Sequence, residues 1–227
     1  VKDLGGNAYA GITDTTTFNF LTLNADGSIP ALPAYGSTTQ ISLGYSLSSA
    51  GDVNGDGYDD VIVGAISSSG QTGSAFVVYG NSAGLGANVV NDSIDATAGF
   101  KITGTRDSIG VGSQLGRSVS GIGDINGDGL ADVMVSAPSD FLNTGPSVDY
   151  IIYGSKTSTN VSVSSLTPSQ GFSITGPTTK GFGFSVSGTG DMNGDGIGDM
   201  VLNSLMDDLA YVVYGSTANT NLNLSSG

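Results

Sequence analysis

Residues 51–65 read GDVNGDGYDDVIVGA, residues 123–137 read GDINGDGLADVMVSA, and residues 190–204 read GDMNGDGIGDMVLNS. Their first aspartates, Asp52, Asp124 and Asp191, lie 72 and then 67 residues apart. Working outward, a glycine stands eight residues before each of them, Gly44 in LGYS, Gly116 in LGRS and Gly183 in FGFS. Downstream come AFVVYG, DYIIYG and AYVVYG, ending at Gly80, Gly154 and Gly215. GFKITG then begins at Gly99 and GFSITG at Gly171, each 47 residues after its own aspartate. Landmarks that recur in phase over about 70 residues mark a repeat architecture.

Each repeat reads as four short strands. A run such as YSLSSA or RSVSGI comes first, then DVIVGA, DVMVSA or DMVLNS, then FVVYG, YIIYG or YVVYG, and last FKIT or FSIT. These runs are rich in Val, Ile, Tyr and Phe and bounded by Gly, Ser and Asn, as strands are. No window has the spacing of an amphipathic helix. All 20 acidic residues are Asp and none is Glu, and there are 37 glycines; Glu is a helix-surface residue, whereas Asp and Gly favour turns. The expected fold is therefore all-β, with β-propeller-type blades of four antiparallel strands in series, each burying its faces on its neighbours. Three repeats do not close a ring at the usual blade angle, so the ring is expected to be incomplete.

Composition removes several function classes. Six basic residues against 20 acidic ones give a net charge of −14, which leaves no footprint for nucleic acid or an anionic membrane surface. With no His and no Cys there is no Ser-His-Asp triad, thiol nucleophile or Cys/His metal site. No run of about 18 apolar residues spans a bilayer. The chain begins with Val and has no signal peptide, so it reads as a piece of something larger. The absence of cysteine points to a bacterial secreted protein.

In each loop, oxygen-bearing side chains fall at relative positions 1, 3, 5 and 9. The first loop supplies Asp52, Asn54, Asp56 and Asp60, the second Asp124, Asn126, Asp128 and Asp132, the third Asp191, Asn193, Asp195 and Asp199. Glycines at positions 4 and 6 permit the tight turns that fold these oxygens inward. Three carboxylates converging on one point repel one another unless a cation sits among them, and hard oxygen ligands in a flexible loop suit Ca²⁺ better than Mg²⁺. The seventh residue, Tyr58, Leu130 or Ile197, offers its backbone carbonyl. An EF-hand would need an acid at position 12, where Val63, Val135 and Leu202 stand. A plain Asp-Gly hairpin turn explains one copy but not three that all keep the acid at position 9. Asp59 has Ala131 and Gly198 as counterparts and reads as a solvated surface charge.

The LGYS, LGRS and FGFS segments, the DxNGDGxxD loops and the VGA or SAP runs that follow resemble the FG-GAP repeat, over roughly residues 36–227. That repeat builds the β-propellers of integrin α subunits and of many bacterial surface proteins. The resemblance implies that the loop residues named above bind Ca²⁺, one ion per blade and three in all. It also implies an extracellular or cell-surface location. The family closes a ring of about seven blades; here three are visible.

Residues 1–23 resemble the final strands of a bacterial Ig-like repeat, an N-terminal hairpin of the propeller being the alternative. Residues 24–40 have the Pro and Gly content of a linker. Blades are expected at 41–110, 111–180 and 181–227, the last truncated, with Leu222–Ser225 as a substitute strand or an acceptor of one from a neighbour. The expected function is non-enzymatic: a Ca²⁺-stabilised structural or adhesion module whose partners are copies of itself, further blades of its parent, or an extracellular protein or glycan. A lectin-like propeller is the alternative, its sugar platforms drawn from 9 Tyr and 8 Phe because Trp is absent. A polysaccharide-active enzyme using paired Asp is less favoured.

Overall fold

The computed structural model describes residues 41–67, 72–82, 93–106, 113–138, 146–177 and 181–224. The expectations for residues 1–23 and 24–40 lie outside the described residues. Among the described residues thirteen strands run in chain order: β1 (Ile41–Gly51), β2 (Asp60–Ser67), β3 (Ser74–Val78), β4 (Gly99–Thr103), β5 (Val119–Gly123), β6 (Asp132–Ala137) and β7 (Val148–Ile152). Then follow β8 (Val161–Ser162), β9 (Gly171–Thr175), β10 (Phe182–Gly190), β11 (Asp199–Ser204), β12 (Leu209–Val213) and β13 (Leu222–Asn223). One three-residue 3-10 turn, Val163–Ser165, follows β8. Among the described residues no helix is long and apolar enough to cross a membrane.

The strands form three antiparallel blades in the order that the repeats dictate: β1-β2-β3-β4, β5-β6-β7-β9 and β10-β11-β12. Runs such as VIVGA and VMVSA are apolar on successive residues because both faces of each middle strand are covered. One face of the first blade packs Ile62, Val77, Phe100 and Ile102 against Val119, Val133, Val135 and Ile152 of the second. The other face of the second blade packs Met134, Ile151, Phe172 and Ile174 against Phe182, Val186, Met200 and Leu202 of the third. Two cores between three sheets therefore replace one central core.

The glycine eight residues before the second and third loop aspartates is where a blade leans on the one before it. Gly116 has φ +90, and a Cβ there would overlap the Ser74 carbonyl oxygen of the first blade. Its own carbonyl accepts a hydrogen bond of 2.8 Å from Ser46 Oγ. Only glycine combines that left-handed backbone with so close an approach. In β1 and β10 the ladder slips register around Gly44 and Gly183, a bulge that turns the strand into its neighbour.

Two features correct the sequence expectation. The first two sheets have a fifth strand, parallel to the fourth: β8 pairs with β4 through Ile102–Val161, and β13 with β9 through Ile174–Leu222. Residues 222–223 therefore do not patch the third blade or wait for a neighbour's strand. They close the outer edge of the second blade, as Val161–Ser162 close the first. An asparagine clamps each seam, Asn160 Oδ1 accepting the Lys101 N–H and Asn221 Oδ1 accepting the Ser173 N–H, both at 2.9 Å. Among the described residues the third blade has three strands, and its far side leaves Val212 and Tyr214 exposed.

Candidate metal centre

The three Asp loops join the first and second strands of each blade and fold alike. In the first, Asp52 Oδ1 accepts the N–H groups of Gly55 (2.7 Å) and Asp56 (3.0 Å), and its Oδ2 accepts that of Gly57 (2.8 Å). Asp124 does the same for Gly127, Asp128 and Gly129, and Asp191 for Gly194, Asp195 and Gly196. These amides hold the Asp191 carboxyl below its usual range, Gly196 most of all. The glycines at positions 4 and 6 take φ between +75 and +90 in all three loops, which turns successive N–H groups inward onto one carboxylate.

Position 3 locks onto position 5. Asn54 donates its side-chain amide to Asp56 Oδ2 at 2.9 Å and accepts the Asp56 N–H at 2.9 Å. The pairs Asn126–Asp128 and Asn193–Asp195 repeat both bonds. The other oxygen of the position-5 acid accepts the N–H of position 7, from Tyr58, Leu130 or Ile197.

Position 9 is different in kind. Asp60, Asp132 and Asp199 are the first residues of β2, β6 and β11 and are buried. Each carboxylate spans two strands. Asp60 accepts the N–H of Val53 and that of Gly80, both at 2.9 Å. Asp132 bridges Ile125 (2.9 Å) and Gly154 (2.8 Å), and Asp199 bridges Met192 (2.7 Å) and Gly215 (3.0 Å). The recurrent Tyr-Gly that ends the third strand thus supplies the amide that fixes the ninth residue, a role that its phase with the loops signalled but did not explain.

Burial pushes the Asp60 carboxyl up to about 6 and that of Asp132 up to about 7, against the two amides that each accepts. The neighbouring position-1 and position-5 carboxylates add to the rise. A cation among these oxygens would reverse that last contribution, since opposite charge favours the ionised form. The donor set of three carboxylates, one amide and one carbonyl is all hard oxygen, which fits a calcium-type ion. Among the described residues no three acidic side chains are already drawn together as a ready-made cage; the carboxylates are instead spent on backbone amides, Oδ1 of each position-1 aspartate on two of them and its Oδ2 on one, so that Oδ2 keeps a further lone pair.

The loops also touch across blades. Ala131 N–H donates to the Asp52 carbonyl (3.0 Å), Gly198 N–H to that of Asp124 (3.2 Å) and Ser155 N–H to that of Val53 (2.9 Å). Asn219 Nδ2 donates to the Ile125 carbonyl (3.0 Å). At the opposite end of the first strands, the Arg117 guanidinium lies 3.9 Å from the Phe184 ring centroid and 5.7 Å from that of Tyr45, joining three blades in one row.

Comparison with known proteins agrees with the repeated β-blades. The FG-GAP repeat model matches residues 43–78 and 115–153; the third loop repeats the same bonds beyond the matched residues. Human integrin alpha-7 is 31% identical over 187 residues, 81% of this chain and 14% of the integrin. Chicken integrin alpha-6 is 31% identical over 172 residues, 74% of this chain and 14% of that protein. Bovine phosphatidylinositol-glycan-specific phospholipase D is 33% identical over 150 residues, 60% of this chain and 17% of the phospholipase. The chain spans about one seventh of the length of the integrins it matches. It is an integrin-alpha-like FG-GAP repeat protein.

Proposed function

We propose that the chain is a calcium-stabilised adhesion module of a large extracellular protein of bacterial-surface type, with one ion per Asp loop. The observation that carries the reading is the identity of three loops in which a buried position-9 carboxylate stands beside further carboxylates. The ligands would be Asp52, Asn54, Asp56 and Asp60 with the Tyr58 carbonyl; Asp124, Asn126, Asp128 and Asp132 with that of Leu130; and Asp191, Asn193, Asp195 and Asp199 with that of Ile197. Bound Ca²⁺ supplies neutralising charge. The chain's own contribution is a turn already set by the position-1 carboxylate and a ninth residue anchored in the sheet. Calorimetric titration of the chelator-stripped chain tests this, with three equivalents of Ca²⁺ expected; zero heat and a melting curve indifferent to chelator would overturn it.

The role is binding and structural rather than catalytic. The loop carboxylates are engaged by backbone amides, and the sequence holds no His or Cys for acid–base or nucleophilic chemistry. The phospholipase named above shares only a 150-residue stretch. A second reading, glycan recognition, is favoured by one observation: exposed Tyr45 and Phe184 flank the Arg117 guanidinium, a platform of the kind that sugars stack on. A glycan array decides that reading.

Further blades of a parent protein, or copies of this chain, are the partners we propose for the far side of the third blade. Val53 and Ile125 are fully buried by the blade that follows, whereas Met192, in the same place, is 56% exposed.

A further inference from the structure

Asp149 stands in the middle of β7, on the face that the second blade turns to the third, and is fully buried. Its partners across the ladder are Ser136 of β6 and Ile174 of β9. The first blade has Gly64 and Ala75 at the corresponding pair, and the third has Asn203 and Ala210. An aspartate thus replaces alanine at a place where two apolar sheets close on each other. Neither carboxylate oxygen has a hydrogen-bond partner. The Ser136 hydroxyl beside it donates instead to the Gly183 carbonyl of β10. Gly183, at φ +71, lies so close that any Cβ there would overlap both Asp149 oxygens.

That fit leaves no room for a water or an ion between the carboxyl and the third blade. No counter-charge approaches either. β9 and β10 carry no titratable residue facing it, and on β6 Asp132 sits at the far end with both oxygens held by Ile125 and Gly154. On β11, Asp199 is likewise held by Met192 and Gly215, and Asp207 in the turn beyond accepts from Ser204. Arg117 sits over the Phe184 ring, 3.9 Å from its centroid. Tyr150, next on its own strand, is pushed up by its own burial and, secondarily, by Asp149. An isolated ionised carboxylate in such a place is among the costliest groups to bury, and the protonated form is the one that survives there.

We propose that Asp149 is a proton-held latch between the second and third blades: neutral, it packs like the alanine of the other blades, and ionised, it drives β10–β12 off the second sheet. Burial pushes its carboxyl up to about 7, against the Ser136 hydroxyl and Ala137 amide nearby, from 3.8 when exposed. A folded value raised above the open one means that the closed state binds the proton more tightly. Closure is therefore strongest below about pH 4 and weakens as pH rises towards 7, beyond which no more is lost. The surfaces released would include Phe182, Met200 and Leu202 of the third blade and Met134, Ile151 and Phe172 of the second.

The test is hydrogen exchange of the 227-residue chain at several pH values, corrected for intrinsic exchange, in saturating Ca²⁺, for wild type, Asp149→Asn and Asp149→Ala. Alanine is already accommodated at the matching positions of both other blades, so that variant is expected to fold. In wild type the opening constant of β10–β12 should rise about tenfold per pH unit between pH 5 and 7, with β2–β4 unchanged. Both variants should be flat across that range. A slope in Asp149→Asn equal to that of wild type, or a wild-type loss shared equally by all three blades, would overturn the latch.

Discussion

The backbone N–H of Ala131 donates to the carbonyl oxygen of Asp52 at 3.0 Å, so the eighth residue of one Asp loop holds the first residue of the loop before it. Gly198 and Asp124 repeat the contact at 3.2 Å. A Cβ on Gly51 would come within 2.8 Å of the Ala131 Cβ, and one on Gly198 would overlap the Ile122 carbonyl oxygen. A small eighth residue is therefore a requirement of blade-on-blade packing, and Asp59, exposed in the first blade, escapes it. Ala131→Leu should cost about 1–3 kcal/mol by overpacking, while Asp59→Leu should stay within about 0.5 kcal/mol of wild type. Urea denaturation of the two variants measures the contrast; equal effects would show that the loop contact does not set the packing.

Removing one position-5 carboxylate should remove one ion. Asp56→Ala, Asp128→Ala and Asp195→Ala are each expected to lower the calorimetric stoichiometry by one and leave the other two sites intact. Free Ca²⁺ at about 100 times the dissociation constant adds about 2.7 kcal/mol per filled site. Chelation should consequently lower the melting temperature by many degrees, and Mg²⁺ should restore it poorly because it keeps its waters.

The pH response of the chelated chain follows from Asp60 and Asp132. Their folded values, about 6 and about 7, lie above the 3.8 of the exposed group. The folded state then binds protons more tightly than the unfolded, and stability falls as pH rises from about 4 towards 7. Saturating Ca²⁺ should remove the share of that fall owed to Asp60 and Asp132 by favouring their ionised forms, leaving the share owed to Asp149. Chelated protein at pH 8 should also melt lower in dilute buffer than in 0.5 M salt, since crowded carboxylates are screened. Thermal melts in a pH and salt grid, with and without chelator, check both signs.

Asn160 and Asn221 each accept one backbone N–H at an outer edge. Asn160→Ala should speed exchange of the Lys101 amide and Asn221→Ala that of the Ser173 amide, at a cost of about 1 kcal/mol each. Faster exchange elsewhere in the sheet, with those two amides unmoved, would show that the clamp lies in another contact.

Static light scattering addresses the open side of the third blade. Exposed Met192, Val212 and Tyr214 should drive concentration-dependent association of the isolated chain, relieved by Met192→Asp with Tyr214→Ser. A strictly monomeric wild type at high concentration would refute self-association through that face.

The strands of each repeat were legible because valine- and isoleucine-rich runs bounded by glycine leave few alternatives, and three copies confirm one another. The Asp loops were equally plain, since oxygens at positions 1, 3, 5 and 9 with glycines between them fold one way. The use of the carboxylates on amides was not legible; it needs the positive φ of Gly55 and Gly57 and the nearness of Gly80, which is 20 residues away. The seam at β8 was not legible, and β13 was legible as a short strand but not as the edge of the second blade, because two paired residues make no apolar run and their partners lie 59 and 48 residues earlier. Their one signal is an asparagine six residues after each Tyr-Gly glycine, at 160 and 221. Asp149 looked like any other aspartate, and only the closing of β10 on β7 makes it singular.

The parallel seams bear on how such a chain is lengthened or shortened by duplication. The strand that finishes a sheet is encoded in the following repeat, so a cut made at the edge of a sheet orphans its neighbour, whereas a cut made in phase does not. Excising residues 111–180 as a unit would bring Asn221 and Leu222 to the outer edge of β4. Lys101 and Ile102 would meet them there as Ser173 and Ile174 do now, because both seams use the same asparagine and the same register. The heritable unit is the sequence period, and the interlock lets whole periods be gained or lost while every sheet edge between them still finds a partner.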